Sequence, residues 1–513
     1  MSAFRRTLPP RPNLEQQRKL AKELIAAFRR GDPEVQARIR DALPDKSRIG
    51  LADAQFTLAR EYGFATWQAL TAHIEALADD QLPLVERFKT AVGKRDAGAL
   101  RRLLPQRDKL RAVVNEPLFG FDSPALVSVA GGEDTLDVVD ALLELGADPN
   151  AKSQWWAGGF HPLYAATGVA ADRLIAAGSK PDACAAAHLD RDDLLVAMIA
   201  ENPAVVHERG GDGQTPLHFA RSRRVADILI AAGADLDARD LDHRSTPAEW
   251  MLGDADDPQK SRIELARYLV ERGASADIFL AAALGDTIRV RTMLEKNPEL
   301  LALRTGQGEY GERRPSSFHI YLWTIGANLT PLQTAARFRR TGTLELMERY
   351  ASPEQRLLLA CNQGNRDEAH AIVRAHPGIV ANLGQQDRRA LTDEAWAANA
   401  PAVELMLELG FDPAVQSVSG PTGGTALHCA AWEGSVDCVA AILRYPSGRA
   451  LVETRDPTHG GTPLGWCGHG SVHCGNPSAD HAEVARLLLA AGAKPELQGA
   501  SDLVQEVIET WPP

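Results

Sequence analysis

Apolar residues recur along most of this chain at spacings of three and four, in short bursts. Val139, Leu142 and Leu143 make one burst, and Val484, Leu487 and Leu488 another. Each predicts a short amphipathic helix with one face toward a core. Two phrases punctuate the bursts. The first opens units: Thr215-Pro-Leu-His218, Thr425-Ala-Leu-His428, Thr462-Pro-Leu-Gly465, Thr330-Pro-Leu-Gln333, Thr246-Pro-Ala248 and His161-Pro-Leu-Tyr164. The second closes them: Leu145-Gly-Ala-Asp148, Ala232-Gly-Ala-Asp235, Arg272-Gly-Ala274, Leu409-Gly-Phe-Asp412 and Ala491-Gly-Ala493. A threonine caps the free amides of a helix start, and proline loses no hydrogen bond at the first helical position. The glycine suits a left-handed helix end, with aspartate fitting the turn that follows.

Twelve such units fit between residues 81 and 496, or 416/12, roughly 35 residues each. The chain therefore resembles the ankyrin family, whose repeat is about 33 residues with a Thr-Pro-Leu-His-x-Ala signature. The resemblance implies an all-α solenoid of helix-turn-helix units, with loops to one side and first helices lining a concave face. Units near 183–212, 276–303 and 352–386 keep the helical pattern but lack the opening phrase. Residues 1–80 lie outside the repeat. Leu20, Leu24, Ile25 and Phe28 predict one helix, and Phe56, Leu58, Ala59, Trp67, Leu70 and Ile74 a helical hairpin. An array exposes the apolar face of its end unit, so 1–80 is expected to be a helical cap. Leu503, Val504, Val507 and Ile508 predict a second cap over 497–513.

Composition narrows the function classes. With 44% hydrophobic and 24% charged residues the chain is globular. No run approaches a membrane span, and the first residues lack the apolar stretch of a secretion signal, so the cytoplasm is the expected compartment. Six cysteines in 513 residues do not make a disulfide scaffold. The 56 basic against 68 acidic residues, −12 overall, argue against nucleic acid as partner. Residues 1–80 contain a helix–Tyr62-Gly-Phe64–helix passage, but 13 basic and 11 acidic side chains there give poor footing for DNA. The Ala/Arg/Leu-rich wording suggests a bacterial source. Walker, Rossmann, His-Glu-x-x-His and Gly-x-Ser-x-Gly signatures are absent.

Recognition in a repeat array falls to variable helix positions and to insertions. Aligning the opening phrases puts Trp250, Trp396, Trp432, Trp466 and His469 at two positions that the family resemblance places on the concave side. Tryptophan there suits a binding hot spot, although packing between helices is the plainer use of the ring. Three insertions interrupt the pattern. The first carries Trp155 and Trp156 among glycines. The second, 304–329, holds Tyr310 and an alternating Phe318-His-Ile-Tyr-Leu-Trp323, which predicts a strand. Its His319, Tyr321 and Trp323 would face a ligand and its Phe318, Ile320 and Leu322 the array. The third, 466–481, is expected to separate the two helices of the last unit. It gathers Cys467, His469, His473, Cys474 and His481, donors suited to zinc, but adjacent His473 and Cys474 seldom share one tetrahedral site. No metal and no cofactor is expected.

Two functions follow. The first is an interaction scaffold whose aromatic, acidic groove takes a basic or amphipathic protein segment. The second is an enzyme, or a binder of a small molecule or glycan, with a pocket between 304–329 and the groove. Its candidate acid–base groups are His319, Tyr321, Asp393 and His469.

Overall fold

The computed structural model describes residues 4–9, 12, 14–44, 46, 48–79, 83–132, 134–253, 261–417, 423–495 and 499–512. The expected boundaries at 80/81 and 496/497 fall outside the described residues. The chain is all-α, and its backbone divides into two units, 1–185 and 186–513. Among the described residues three helix pairs lie between Leu84 and Ala176, one pairs Ala183–His188 with Asp192–Glu201, and eight follow. That makes the twelve helix pairs of a repeat solenoid.

The opening phrase works as a two-way cap. Thr246 Oγ1 accepts the Glu249 amide while Glu249 Oε2 accepts the Thr246 amide at 2.7 Å. Thr330 and Gln333 exchange the same bonds. Where the fourth residue is histidine the device gains a second reach. His218 Nδ1 accepts the Thr215 amide at 3.0 Å, so its Nε2 carries the hydrogen and donates to the Ser245 carbonyl of the next unit at 3.1 Å. His428 repeats this with Thr425 and the Gly461 carbonyl. Burial drives the His218 imidazole down to about 4, which keeps it neutral for this double role. The closing glycines end their helices in the left-handed region, Gly146 at φ 100° and Gly233 at φ 92°.

Residues 14–79 fold as four helices: Leu14–Arg29, Pro33–Ala42, Leu51–Glu61 and Trp67–Asp79. Pro33–Ala42 was not expected from the sequence. Leu24, Val35, Ile39, Ala54 and Leu58 share one small core, and Ala59, Leu70 and Ile74 another, with Trp67 packed against both. Inside, Arg38 makes a bidentate pair with the buried Glu61, at 2.8 and 3.0 Å. Trp67 and Leu70 thus pack against other helices of the segment itself. At the other end Asp502–Thr510 buries Val504, Val507 and Ile508 against the core that runs back to Leu357.

Two insertions differ from expectation. Phe318–Trp323 is not a strand; Tyr321–Thr324 is a single helical turn. The amides are satisfied locally, Leu322 N on the His319 carbonyl at 3.0 Å and Trp323 N on the Ile320 carbonyl at 2.9 Å. The alternation therefore does not sort the side chains onto two faces. His319, Ile320 and Tyr321 are all buried, and Trp323 is exposed. The third insertion is largely helix, because Pro463–His473 continues through its first half and only 474–480 is loop.

Candidate functional site

Three successive first helices, Ala390–Trp396, Ala426–Trp432 and Pro463–His473, carry the aromatic positions singled out above. Trp396 and Trp432 end theirs, and Trp466, His469 and His473 follow each other along one side of the third. The rings touch. Trp396 and Trp432 stack at 6.2 Å and 14°, Trp432 meets His469 at 5.2 Å, and His469 meets His473 at 4.3 Å. Trp466 lies beneath, edge-on to Trp432 and 5% exposed, its indole N–H donating to Asp456 Oδ2 at 2.9 Å. Trp396 and Trp432 are half-buried, while His469 and His473 are exposed. The result is an aromatic shelf with one ring sunk below it.

Gly470 lets the last two units approach this closely. A Cβ there would stand 2.3 Å from the Trp432 carbonyl oxygen and 2.9 Å from His481 Nε2, which itself bonds that oxygen at 2.8 Å. On helix propensity alone Gly470→Ala would gain about 1 kcal/mol. We expect it instead to destabilise by about 1–3 kcal/mol, as overpacking does. A rise in melting temperature would show that the contact is not tight.

At its Trp396 end the shelf runs into a cleft of about 520 Å³ lined by Leu322, Leu329, Gln333, Arg337, Asp393 and Trp396. One wall is the 304–329 insertion, the other the helices of neighbouring units. Asn328 donates to Asp393 Oδ2 at 2.6 Å, which ties the two walls together, and accepts from Gln307 Nε2 of its own insertion at 2.6 Å. Arg304 adds an ion pair to Asp387. Burial raises the Asp393 carboxyl above its ordinary range, against the Asn328 hydrogen bond and the charges of Arg389 and Arg304. Burial raises Glu394 as well, although the Asn362 and Asn399 amides each donate to it at 2.7 Å.

The remaining candidates lie in other surroundings. Tyr310 and Tyr321 are buried and donate to the two oxygens of Asp277, at 2.9 and 2.8 Å. His319 sits between them and Glu249, with Nε2 3.4 Å from the buried carboxylate. Trp250 and Trp323 both set their edges against His243, at 5.2 and 4.7 Å. In the first unit Trp155 contacts Trp156 and the exposed Phe121. His319, Tyr321, Asp393 and His469 therefore do not share one set of neighbours. Three of the five zinc-type donors, Cys467, Cys474 and His481, bond elsewhere. The Cys467 thiol is 3.2 Å from the His481 carbonyl, and that of Cys474 is 3.6 Å from Glu433. Among the described residues no three of the five come close enough to share an ion.

A model of the ankyrin repeat matches residues 212–241 and 422–456. The chain contains ankyrin repeats. The two matched stretches are those whose opening phrase ends in histidine, His218 and His428. Among solved structures, the ankyrin repeat domain of Bcl-3, described as a unique member of the IkappaB protein family, is similar at 18% identity. The match has a TM-score of 0.28 and covers 46% of this chain and 98% of that one. No curated protein matches the chain. No helix among the described residues of the ankyrin-repeat chain is long and apolar enough to cross a membrane.

Sequence reading missed Asn328, Glu394 and Asp456. The last had a signal. Asp456 lies ten residues before Trp466, as Asp240 lies ten before Trp250, and each takes the indole N–H at 2.9 Å while gathering the amides of its own turn.

Proposed function

We propose that this ankyrin-repeat chain is an interaction scaffold that lays an extended segment of a partner protein along Trp396, Trp432 and His469. Ankyrin repeats generally serve as such scaffolds. The observation that carries the reading is the unbroken line of rings, half-exposed, ending at a cleft that holds Asp393. Rings of this kind offer large apolar area at low entropic cost, and a carboxylate at the end favours a basic side chain. The partner segment is accordingly amphipathic, with aromatic or aliphatic residues on the shelf and a lysine or arginine at the cleft.

The cleft also supports a second reading. Its volume falls in the range of small-molecule sites, about 300–1,000 Å³, so a small molecule or glycan stacked on Trp396 is the alternative. Selection of a random peptide library on the full chain separates the two. We expect enriched peptides that pair basic with aromatic residues and lose binding to a Trp396→Ala chain. Peptides that bind Trp396→Ala and wild type alike would end the scaffold reading at this shelf.

A further inference from the structure

Asp212, Asp242 and His243 come from the turns that precede two neighbouring units. One carboxylate oxygen of each aspartate and one ring nitrogen of the histidine all lie within 4.8 Å of one another. Among the described residues no other three His, Cys, Asp or Glu side chains gather this closely. Neither aspartate is a surface group, with Asp212 7% and Asp242 4% exposed. The backbone fixes their approach, since the Asp212 carbonyl accepts the amides of Leu241 and Asp242 at 2.9 and 3.2 Å.

The orientation of the imidazole decides what the cluster can hold. His243 Nδ1 is 2.8 Å from the Phe318 carbonyl oxygen, which can only accept, so Nδ1 carries a hydrogen. The other nitrogen, Nε2, then faces Asp242 at 3.5 Å and Asp212 at 3.9 Å. A proton on Nε2 would draw at least one oxygen to hydrogen-bond distance, about 2.7–3.2 Å. Both distances are longer than that. Ligand atoms each about 2.0–2.2 Å from one ion stand about 3–4 Å apart, which is the separation found between the imidazole and each carboxylate. A carbonyl behind the distal nitrogen of a ligating histidine is the usual way its ring is oriented. The edges of Trp250 and Trp323 hold the plane of this one.

We propose that Asp212, Asp242 and His243 bind one divalent transition-metal ion. Two carboxylates with an imidazole suit zinc or manganese, whereas calcium and magnesium prefer oxygen donors alone. Water completes the coordination. The ion fastens the 304–329 insertion to the array, because that insertion supplies the carbonyl behind His243 and the Ser317 amide and hydroxyl on Asp242, at 3.1 and 3.3 Å.

The test strips the full-length protein with a chelator and titrates it with zinc sulfate, with cobalt(II) as a spectroscopic probe. The expected result is one equivalent bound, a raised melting temperature and cobalt bands without thiolate charge transfer, with calcium inert. Binding should vanish in His243→Gln and persist in His469→Gln/His473→Gln, which removes the exposed imidazole pair of the shelf. Zinc should also shield His243 of the unaltered protein from an acylating reagent, read by mass spectrometry, so the test stands even if His243→Gln folds poorly. Absence of zinc binding, binding unchanged in His243→Gln, or binding lost in the double variant would each overturn the proposal.

Discussion

An Asp277→Asn chain should lose a fall in stability that the unaltered protein shows between about pH 4 and pH 6. Asp277 caps the helix Ile278–Leu284 and lies beneath the Tyr310 and Tyr321 hydroxyls. Burial, with the charge of Glu249 adding to it, lifts its carboxyl to about 6 from an ordinary 3.8. The folded state thus holds this proton more tightly than the unfolded chain. Its contribution is fully favourable below the unfolded value and is lost as pH rises through the folded one. A shift of this size corresponds to about 3 kcal/mol at most. Urea unfolding of both chains across this range isolates Asp277 together with its coupling to Glu249, because carboxyls that do not interact with it cancel in the difference. Asp277→Asn should match the parent at the acid end and exceed it above about pH 6. Parallel curves would mean that the carboxylate is better solvated than its surroundings indicate.

The second large effect separates the two tryptophans of the shelf by depth. Trp466→Ala empties a buried site and takes the indole N–H from Asp456, and should cost about 3–5 kcal/mol of stability. Trp432→Ala removes a half-exposed ring. It should cost less in stability than Trp466→Ala, but roughly 2 kcal/mol or more in affinity for a selected peptide. Paired denaturation and peptide titration check this. If Trp432→Ala proves as destabilising as Trp466→Ala and leaves affinity intact, the ring is core packing.

The helix pairs were legible in the sequence because their signals are local. Thr246 and Glu249, or Thr330 and Gln333, cap a helix within one turn, and a glycine ends it without outside help. The insertion was not legible for the converse reason. What turns Tyr321 inward is Asp277, more than forty residues upstream, which takes its hydroxyl. Period-two alternation records that such residues differ, not where distant partners stand. The shelf lay between these cases. Its ring positions followed from aligned phrases, whereas the contact of His469 with Trp432 depends on Gly470 letting one unit settle on the next.

The histidine caps carry a consequence for how the array comes apart. His218 and His428 each bind their own threonine and a carbonyl of the following unit, so in those places one unit is stitched to the next. The unit opened by Thr246 has Glu249 at the corresponding position, and the insertion returns His319 to that carboxylate. The last unit has Gly465 there, with no side chain to reach onward. In nearest-neighbour terms the coupling between units is therefore uneven. Pulled from its C-terminal end, such a chain gives up the closing helix Asp502–Thr510 readily, then holds at His428, which stitches the last unit to its neighbour, and breaks in steps set by these stitches.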